Sequence, residues 1–187
     1  QWMSPTEGPP LDLAGLPPGV QVILALRPRA ILSHSEGEKL VAALGPLGNQ
    51  AIEYVTAAVG RPPEEIDQLL IGWQVDRDGT WQATILDSKS MEPAPPLTRD
   101  MERLLAHTDS SRHLTLLLRP NFLFGDGSSV FSESMVALRG PLFWFFGDEI
   151  GAVAVRLHCD DNFFVELVAI PTLDARPDRT ADELISR

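Results

Sequence analysis

The sequence repeats itself once, with divergence, and this repeat constrains the fold more than any other feature. The tripeptide Leu-Arg-Pro at 26–28 recurs at 118–120, and residues 41–47 resemble residues 136–142. In each half, a strand pattern, a helical pattern, a hairpin and the start of a helix follow in the same order. We therefore interpret the chain as a diverged duplication of one β-α-β-β-α unit.

The order of these elements predicts an α+β fold. Strand, helix, strand, strand, helix and strand in succession is the order of a ferredoxin-like plait. We expect an antiparallel-dominated sheet with helices packed on a face. Residues 1–18 are then a proline-rich linker, 19–112 the first repeat, and 113–187 a second repeat that stops in or after its last helix. Because residues 180–187 match only the start of a helix, we expect the native protein to continue past Arg187.

Capping signals set the bounds of the predicted helices. Ser35 is followed three residues later by Glu38, which is the arrangement of a capping box. The glycine and proline at 45–46 should break or kink this helix, and Gly60 should end it in a left-handed conformation. A further helix is predicted over 132–146.

Two hairpins are predicted from alternating apolar residues. In each hairpin only one register turns the apolar residues of both strands towards the same face. The predicted pairs are Val75 with Trp81 in the first hairpin, and Cys159 with Phe163 and Arg156 with Glu166 in the second.

Both predicted registers leave three-residue loops, at 77–79 and at 160–162. Such loops usually place one residue in the left-handed region. Gly79 adopts this conformation at no steric cost, and asparagine is the other residue that tolerates it well. We therefore predict positive φ at Gly79 and at Asn162.

Charge and composition exclude several classes of function. The 187-residue chain is 44% apolar, enough for a real core, and its net charge is −11. Its basic residues are not gathered into a patch, so nucleic acid is a poor partner and an anionic membrane surface is disfavoured. The single cysteine, Cys159, excludes an intrachain disulfide.

Three polar motifs are compatible with metal or anion binding, but each fits a structural role better. Residues 76–80 begin like a calcium loop, yet they lack its central glycine and lie between strand patterns. In 158–161, neighbouring residues on a strand point to opposite faces, and Cys159 has the parity of the core. The glycine-rich segment 125–129 lacks the lysine of a phosphate-binding loop. We therefore expect no cofactor and no metal ion, and the histidines at 34, 107, 113 and 158 match no catalytic spacing.

The most apolar phrase of the chain lies in the predicted helix 132–146 and consists of Leu142, Phe143, Trp144, Phe145 and Phe146. Five consecutive large apolar residues cannot share one face of a helix. Either the helix is enclosed in the core, or part of its surface meets another molecule. Packing in the core is the favoured interpretation, and contact of these five residues with a protein partner is the alternative.

Three short phrases carry a resemblance to known sequences. They are the segment 16–22, the Arg-Pro after the first strand, and the segment 62–67. These phrases resemble uncharacterised extracytoplasmic proteins of planctomycete-type bacteria, in which such domains often follow a membrane anchor or a low-complexity stalk. The resemblance implies an extracytoplasmic location, and it implies no catalytic residues because that group has no assigned activity.

The sequence favours a non-enzymatic binding or structural domain of a larger exported or membrane-anchored protein. Its expected partners are proteins, including other parts of its own full-length chain. The alternative is an enzyme, hydrolase-like, whose site is assembled from scattered residues. A pocket with two or more perturbed acids or histidines would favour the enzyme, and an apolar surface patch would favour binding.

Overall fold

The computed structural model describes residues 6–88, 90–131, 136–160 and 162–172, together with Asp182 and Ile185. These residues form six strands and six α-helices, with 3-10 turns at Pro63–Glu65 and Ser128–Val130. In chain order the elements are β1 (Val22–Leu26), α1 (Pro28–Leu32), α2 (Ser35–Ala43), α3 (Pro46–Val59), β2 (Leu69–Val75), β3 (Trp81–Leu86), α4 (Arg99–Leu105), β4 (Leu114–Leu118), α5 (Pro120–Phe124), α6 (Val136–Phe146), β5 (Ile150–Cys159) and β6 (Phe163–Pro171).

The six strands form one antiparallel sheet in the order β3-β2-β1-β4-β5-β6. Each half of the chain contributes three neighbouring strands, and the halves meet where β1 pairs with β4. Helices pack on this sheet, so the predicted α+β class with an antiparallel sheet is confirmed.

The strand order differs from that of a ferredoxin-like plait. In a split β-α-β arrangement, the strands joined by a helix have another strand between them. Here β1 and β2 are direct antiparallel neighbours although three helices connect them, and β4 and β5 are neighbours as well. The helical segments therefore cover a face of the sheet and bring the chain back beside the strand that it left.

The two halves match in their local structure after the first strand of each. Pro28 begins α1 directly after β1, and Pro120 begins α5 directly after β4. Proline is favoured at the first position of a helix because its missing N–H would have no partner there. The matching elements and the symmetric strand order support a duplication, which remains a hypothesis.

Both hairpins have the predicted register. Val75 pairs with Trp81, and the turn closes through bonds between Asp76 and both Gly79 and Thr80. Gly79 has the predicted positive φ, at 83°. In the second hairpin Cys159 pairs with Phe163 and Arg156 with Glu166. Asp161 lies outside the described residues, and the positive φ at Asn162 stays a prediction.

The predicted break at Gly45-Pro46 is confirmed, since α2 ends at Ala43 and α3 begins at Pro46. Gly60 ends α3 in the left-handed conformation, with φ of 78°. At the start of α2, however, His34 is the N-cap and its ring accepts a hydrogen bond from the Glu36 N–H. Residues 132–135 and most of the predicted last helix, 180–187, lie outside the described residues.

The first face of the sheet, which carries Ile23 and Leu117, is covered by the N-terminal segment and α4. The segment predicted as a linker contributes to this core: Leu11, Leu13 and Leu16 are buried. Residues 11–20 therefore pack on the sheet despite their prolines. The buried members of the core are Leu11, Leu13, Leu16, Val20, Ile23, Ala25, Leu70, Met101, Leu104, Leu117, Ala152 and Ala154.

The second face, which carries Leu24 and Leu116, has two separate helical clusters. In one cluster α3 packs on β1 and β2 through Val55, with Ile71 on the sheet. In the other cluster α5 and α6 pack on β4 and β5, with Phe146 and Val153 buried. The two clusters cover opposite ends of the sheet, so a diagonal strip of the second face lies between them.

Candidate functional site

The strip between the two helical clusters forms an apolar cavity of about 540 Å³. Its floor comes from the middle strands of the sheet, and its walls come from α5, from the 3-10 turn after it and from β3. This volume is within the range of ligand pockets, roughly 300–1,000 Å³. All the lining residues are apolar or aromatic: Val22, Leu24, Trp73, Trp81, Leu114, Leu116, Leu118, Leu123 and Val130.

The apolar floor continues past the cavity to the edge of the sheet. In register across four strands, Leu24 pairs with Leu116, Leu116 with Val155, and Val155 with Leu167. The first three side chains are partly exposed, and Leu167 is 41% exposed. We call the cavity together with this row the groove.

At one end of the groove, the glycine-rich segment 125–129 and the first hairpin support a wall of aromatic side chains. Trp81 lies edge-to-face with Phe122 of α5, with ring centroids 5.6 Å apart. Ser129 donates a hydrogen bond to the carbonyl of Gly79, which ties the glycine-rich segment 125–129 to the first hairpin. This segment therefore has a structural part in the groove's wall.

The five residues of the predicted protein contact divide between core and surface. Phe146 is buried, and Leu142 and Phe145 are half-buried against the same cluster. Phe143 and Trp144 are exposed by 46% and 58%, and Phe143 lies edge-to-face with Phe124 of α5. The structure thus places three of the five in or against the core and two on the surface of α6.

A buried polar cluster lies on the first face, opposite the groove. The side chains of Arg112 and Arg156 are 1% and 10% exposed, and both lie 3.4 Å from the same carboxylate oxygen of Glu166. Asp109 lies on the other side of Arg112, and Arg156 donates to the carbonyl of His107 at the end of α4. Two guanidinium groups and two carboxylates balance in charge, and these contacts tie α4 to the sheet.

Next to this cluster, His113 stacks on His158 with ring centroids 4.3 Å apart. The backbone N–H of Cys159 donates to Nδ1 of His113, so His113 is held neutral with its proton on Nε2. Burial and the neighbouring His158 lower the pKa of His113 from 6.5 to about 4. Burial also lowers the pKa of His158. These two perturbed histidines lie on the first face, away from the groove.

Cys159 occupies the core position that its parity predicted. It is 2% exposed, and burial raises the pKa of its thiol. His158, its neighbour in the chain, lies on the opposite face, stacked on His113. The thiol is therefore held in its neutral, unreactive form.

A second cavity, of about 220 Å³, contains the carboxylates of Asp12, Asp67 and Asp87. Two of these carboxylates are already paired. Asp67 lies 2.7 Å from Arg29, and Asp87 lies 2.6 Å from Arg61. These carboxylates therefore belong to ion pairs at the protein surface, which explains their presence without a bound ligand.

Within the described part of the chain, no three His, Cys, Asp or Glu side chains gather where they could hold a metal ion. None of the helices in that part has the length and apolar character needed to cross a membrane.

The groove could not be predicted from the sequence because its residues are far apart in the chain. A signal was nevertheless present in the central strands. Val22 and Leu24 alternate with Ile23 and Ala25, and β4 is likewise apolar on both faces. A sheet that is apolar on both faces needs cover on both, and here the second face has an uncovered strip between its two helical clusters.

The chain matches no protein-family model, and no curated protein or solved structure matches it either.

Proposed function

We propose that this chain is a non-enzymatic binding domain that holds one amphipathic helix of a protein partner in the groove. The observation that carries the proposal is an apolar cavity of about 540 Å³ whose floor extends to the sheet edge. Exposed contiguous apolar surface of this kind typically marks an interaction site.

The length of the groove favours a helix over a small molecule. From Trp81 on β3 to Leu167 on β6 the groove crosses six neighbouring strands. With strands about 4.8 Å apart, this distance is about 24 Å. A helix of about 16 residues has this length, at 1.5 Å per residue. Its apolar face would complete the helical layer that α3 and α6 leave open.

The net charge of the chain indicates which residues the partner helix carries on its solvent-facing side. The chain carries a net charge of −11. A helix with Lys or Arg on its solvent side is therefore attracted over long range, which raises the association rate at low salt. We place the domain in an exported or membrane-anchored protein on the strength of the sequence resemblance, and cell fractionation with an antibody against the chain tests that placement.

A peptide selection tests the proposed function. Phage-displayed peptides of about 16 residues are selected on the purified chain, and the affinities of the winners are measured by fluorescence polarisation. We expect amphipathic, basic sequences. Their affinity should fall at least about tenfold in Leu114→Gln, because Leu114 lines the groove without belonging to either helical cluster.

Leu44→Gln is the matched control, because Leu44 is 49% exposed and lies outside the groove. It should leave the affinity unchanged. Selection of no amphipathic sequence, or an equal loss of affinity in the two variants, would contradict the proposal.

A further inference from the structure

The strand β6 forms one edge of the sheet, and it is nine residues long. Among the described residues, β5 is its only pairing partner. An edge strand presents a row of backbone N–H and C=O groups that can pair with another strand.

The hydrogen-bond pattern of β5 shows which residues of β6 face outwards. The N–H of Cys159 points towards β4, since it donates to His113, and the N–H of Asp160 donates to the carbonyl of Asn162. Residues of an antiparallel pair alternate between the two directions. In β6 the residues opposite the odd-numbered residues of β5 therefore turn their backbone groups to the free edge: Phe163, Val165, Leu167 and Ala169.

Up to Pro171 at the end of the strand, the side chains along this edge offer no protection against pairing. Phe163, Val165 and Leu167 are 43%, 55% and 41% exposed on the second face. Natural edge strands usually carry charges or prolines that prevent edge-to-edge contact. The only charged residue of β6 is Glu166, whose carboxylate is turned to the first face and lies between two buried arginines.

We infer that β6 is a self-association site, at which the β6 strands of two copies of this chain pair antiparallel and join their sheets. Two identical strands are self-complementary in this arrangement, which gives a closed two-fold dimer. A two-fold axis at Glu166 would set two carboxylates opposite each other, which is unfavourable. We place the axis at Leu167, so that each Leu167 faces its counterpart and Val165 of one copy faces Ala169 of the other.

This register uses the whole strand. It forms roughly eight backbone hydrogen bonds between the copies, since Pro171 has no N–H to donate. It also brings the exposed apolar side chains of both copies together on the second face, next to both grooves. The acidic character of the chain does not oppose the contact locally, because the neutralised Glu166 carries the only charge in the strand.

Sedimentation velocity of the whole chain, from about 1 to 500 µM, tests this inference, and we expect a concentration-dependent dimer. Val165→Pro removes an outward N–H that the chain's own sheet does not use, and Leu167→Lys adds a charge to the edge. Both variants should be monomeric at concentrations where the wild type is dimeric. Gln82→Lys, on the opposite edge strand β3, is the matched control and should remain dimeric.

Circular dichroism of each variant establishes that the sheet is intact. If Val165→Pro fails to fold, Leu167→Lys decides the test, because its side chain is exposed. A wild-type chain that is monomeric at every concentration would overturn the inference. So would a dimer that persists in folded Leu167→Lys, or one that only Gln82→Lys dissociates.

Discussion

His113 makes the stability of this fold sensitive to acid, and the structure gives the size of the effect. His113 is 9% exposed, and its ring stacks on that of His158. Its Nδ1 accepts the N–H of Cys159, so protonation at this nitrogen would break that hydrogen bond. The test lowers the pH from 7 to 5 and compares the wild type with His113→Asn. This variant removes the titrating imidazole but keeps an oxygen that can accept the hydrogen bond.

The direction of the change in stability follows from the pKa of His113 in the unfolded and folded states. In the unfolded chain the imidazole has its ordinary pKa of 6.5, and in the fold the pKa is about 4. Between these values the unfolded state binds more protons, so stability falls as the pH falls. The loss attributable to His113 is about 2 kcal/mol between pH 7 and pH 5, and about 3 kcal/mol once the pH is below 4.

Urea unfolding at a series of pH values measures this contribution. The free energy of unfolding of the wild type should fall between pH 7 and 5 by about 2 kcal/mol more than that of His113→Asn. The exposed His107→Asn is the control and should follow the wild type. Parallel profiles for the wild type and His113→Asn, or an NMR titration giving a pKa near 6.5 for His113, would show that His113 is not the source of the acid sensitivity.

Two further perturbations test the packing. Gly37→Ala should lower the free energy of unfolding by about 3 kcal/mol or more, because its Cβ would overlap the carbonyl oxygen of Ile31. Gly140→Ala, whose Cβ would meet open space apart from the neighbouring Pro141, should change that energy by less than about 1 kcal/mol, because contact with the proline ring offsets the gain in helix propensity; urea titrations showing similar effects for both would contradict this account. Glu166→Gln should cost about 2–4 kcal/mol in thermal or urea unfolding by leaving two buried guanidinium groups short of a counter-charge. The same change at the exposed Glu102 should cost less than about 0.5 kcal/mol, and equal losses at the two sites would count against the buried cluster.

The local features of the fold could be predicted from the sequence. The hairpin registers follow from the alternation of apolar residues, and Gly79 adopts the left-handed conformation that its turn requires. The helix break before Pro46 and the helix end at Gly60 depend on neighbouring residues alone. Each of these features is determined by residues that are close together in the sequence, and for this reason sequence patterns predict them.

The remaining features depend on contacts between distant parts of the chain. The direct pairing of β1 with β2 depends on where the connecting helices pack on the sheet. Local sequence patterns do not predict it. The proline-rich composition of the N-terminal segment predicts a linker, yet Leu11, Leu13 and Leu16 are buried. Their contacts come from α4 and the middle of the sheet, which are distant in the chain. The groove exists only because α3 and α6 cover opposite ends of one face.

Contacts between the groove and a bound peptide would show directly whether the groove holds a helix. With isotope-labelled chain and an unlabelled peptide from the phage selection, intermolecular nuclear Overhauser effects report which methyl groups touch the peptide. We expect contacts to the methyl groups of the cavity lining: Val22, Leu24, Leu114 and Leu116. A bound peptide whose contacts fall only on the first face, or only on the exposed side of α6, would contradict it.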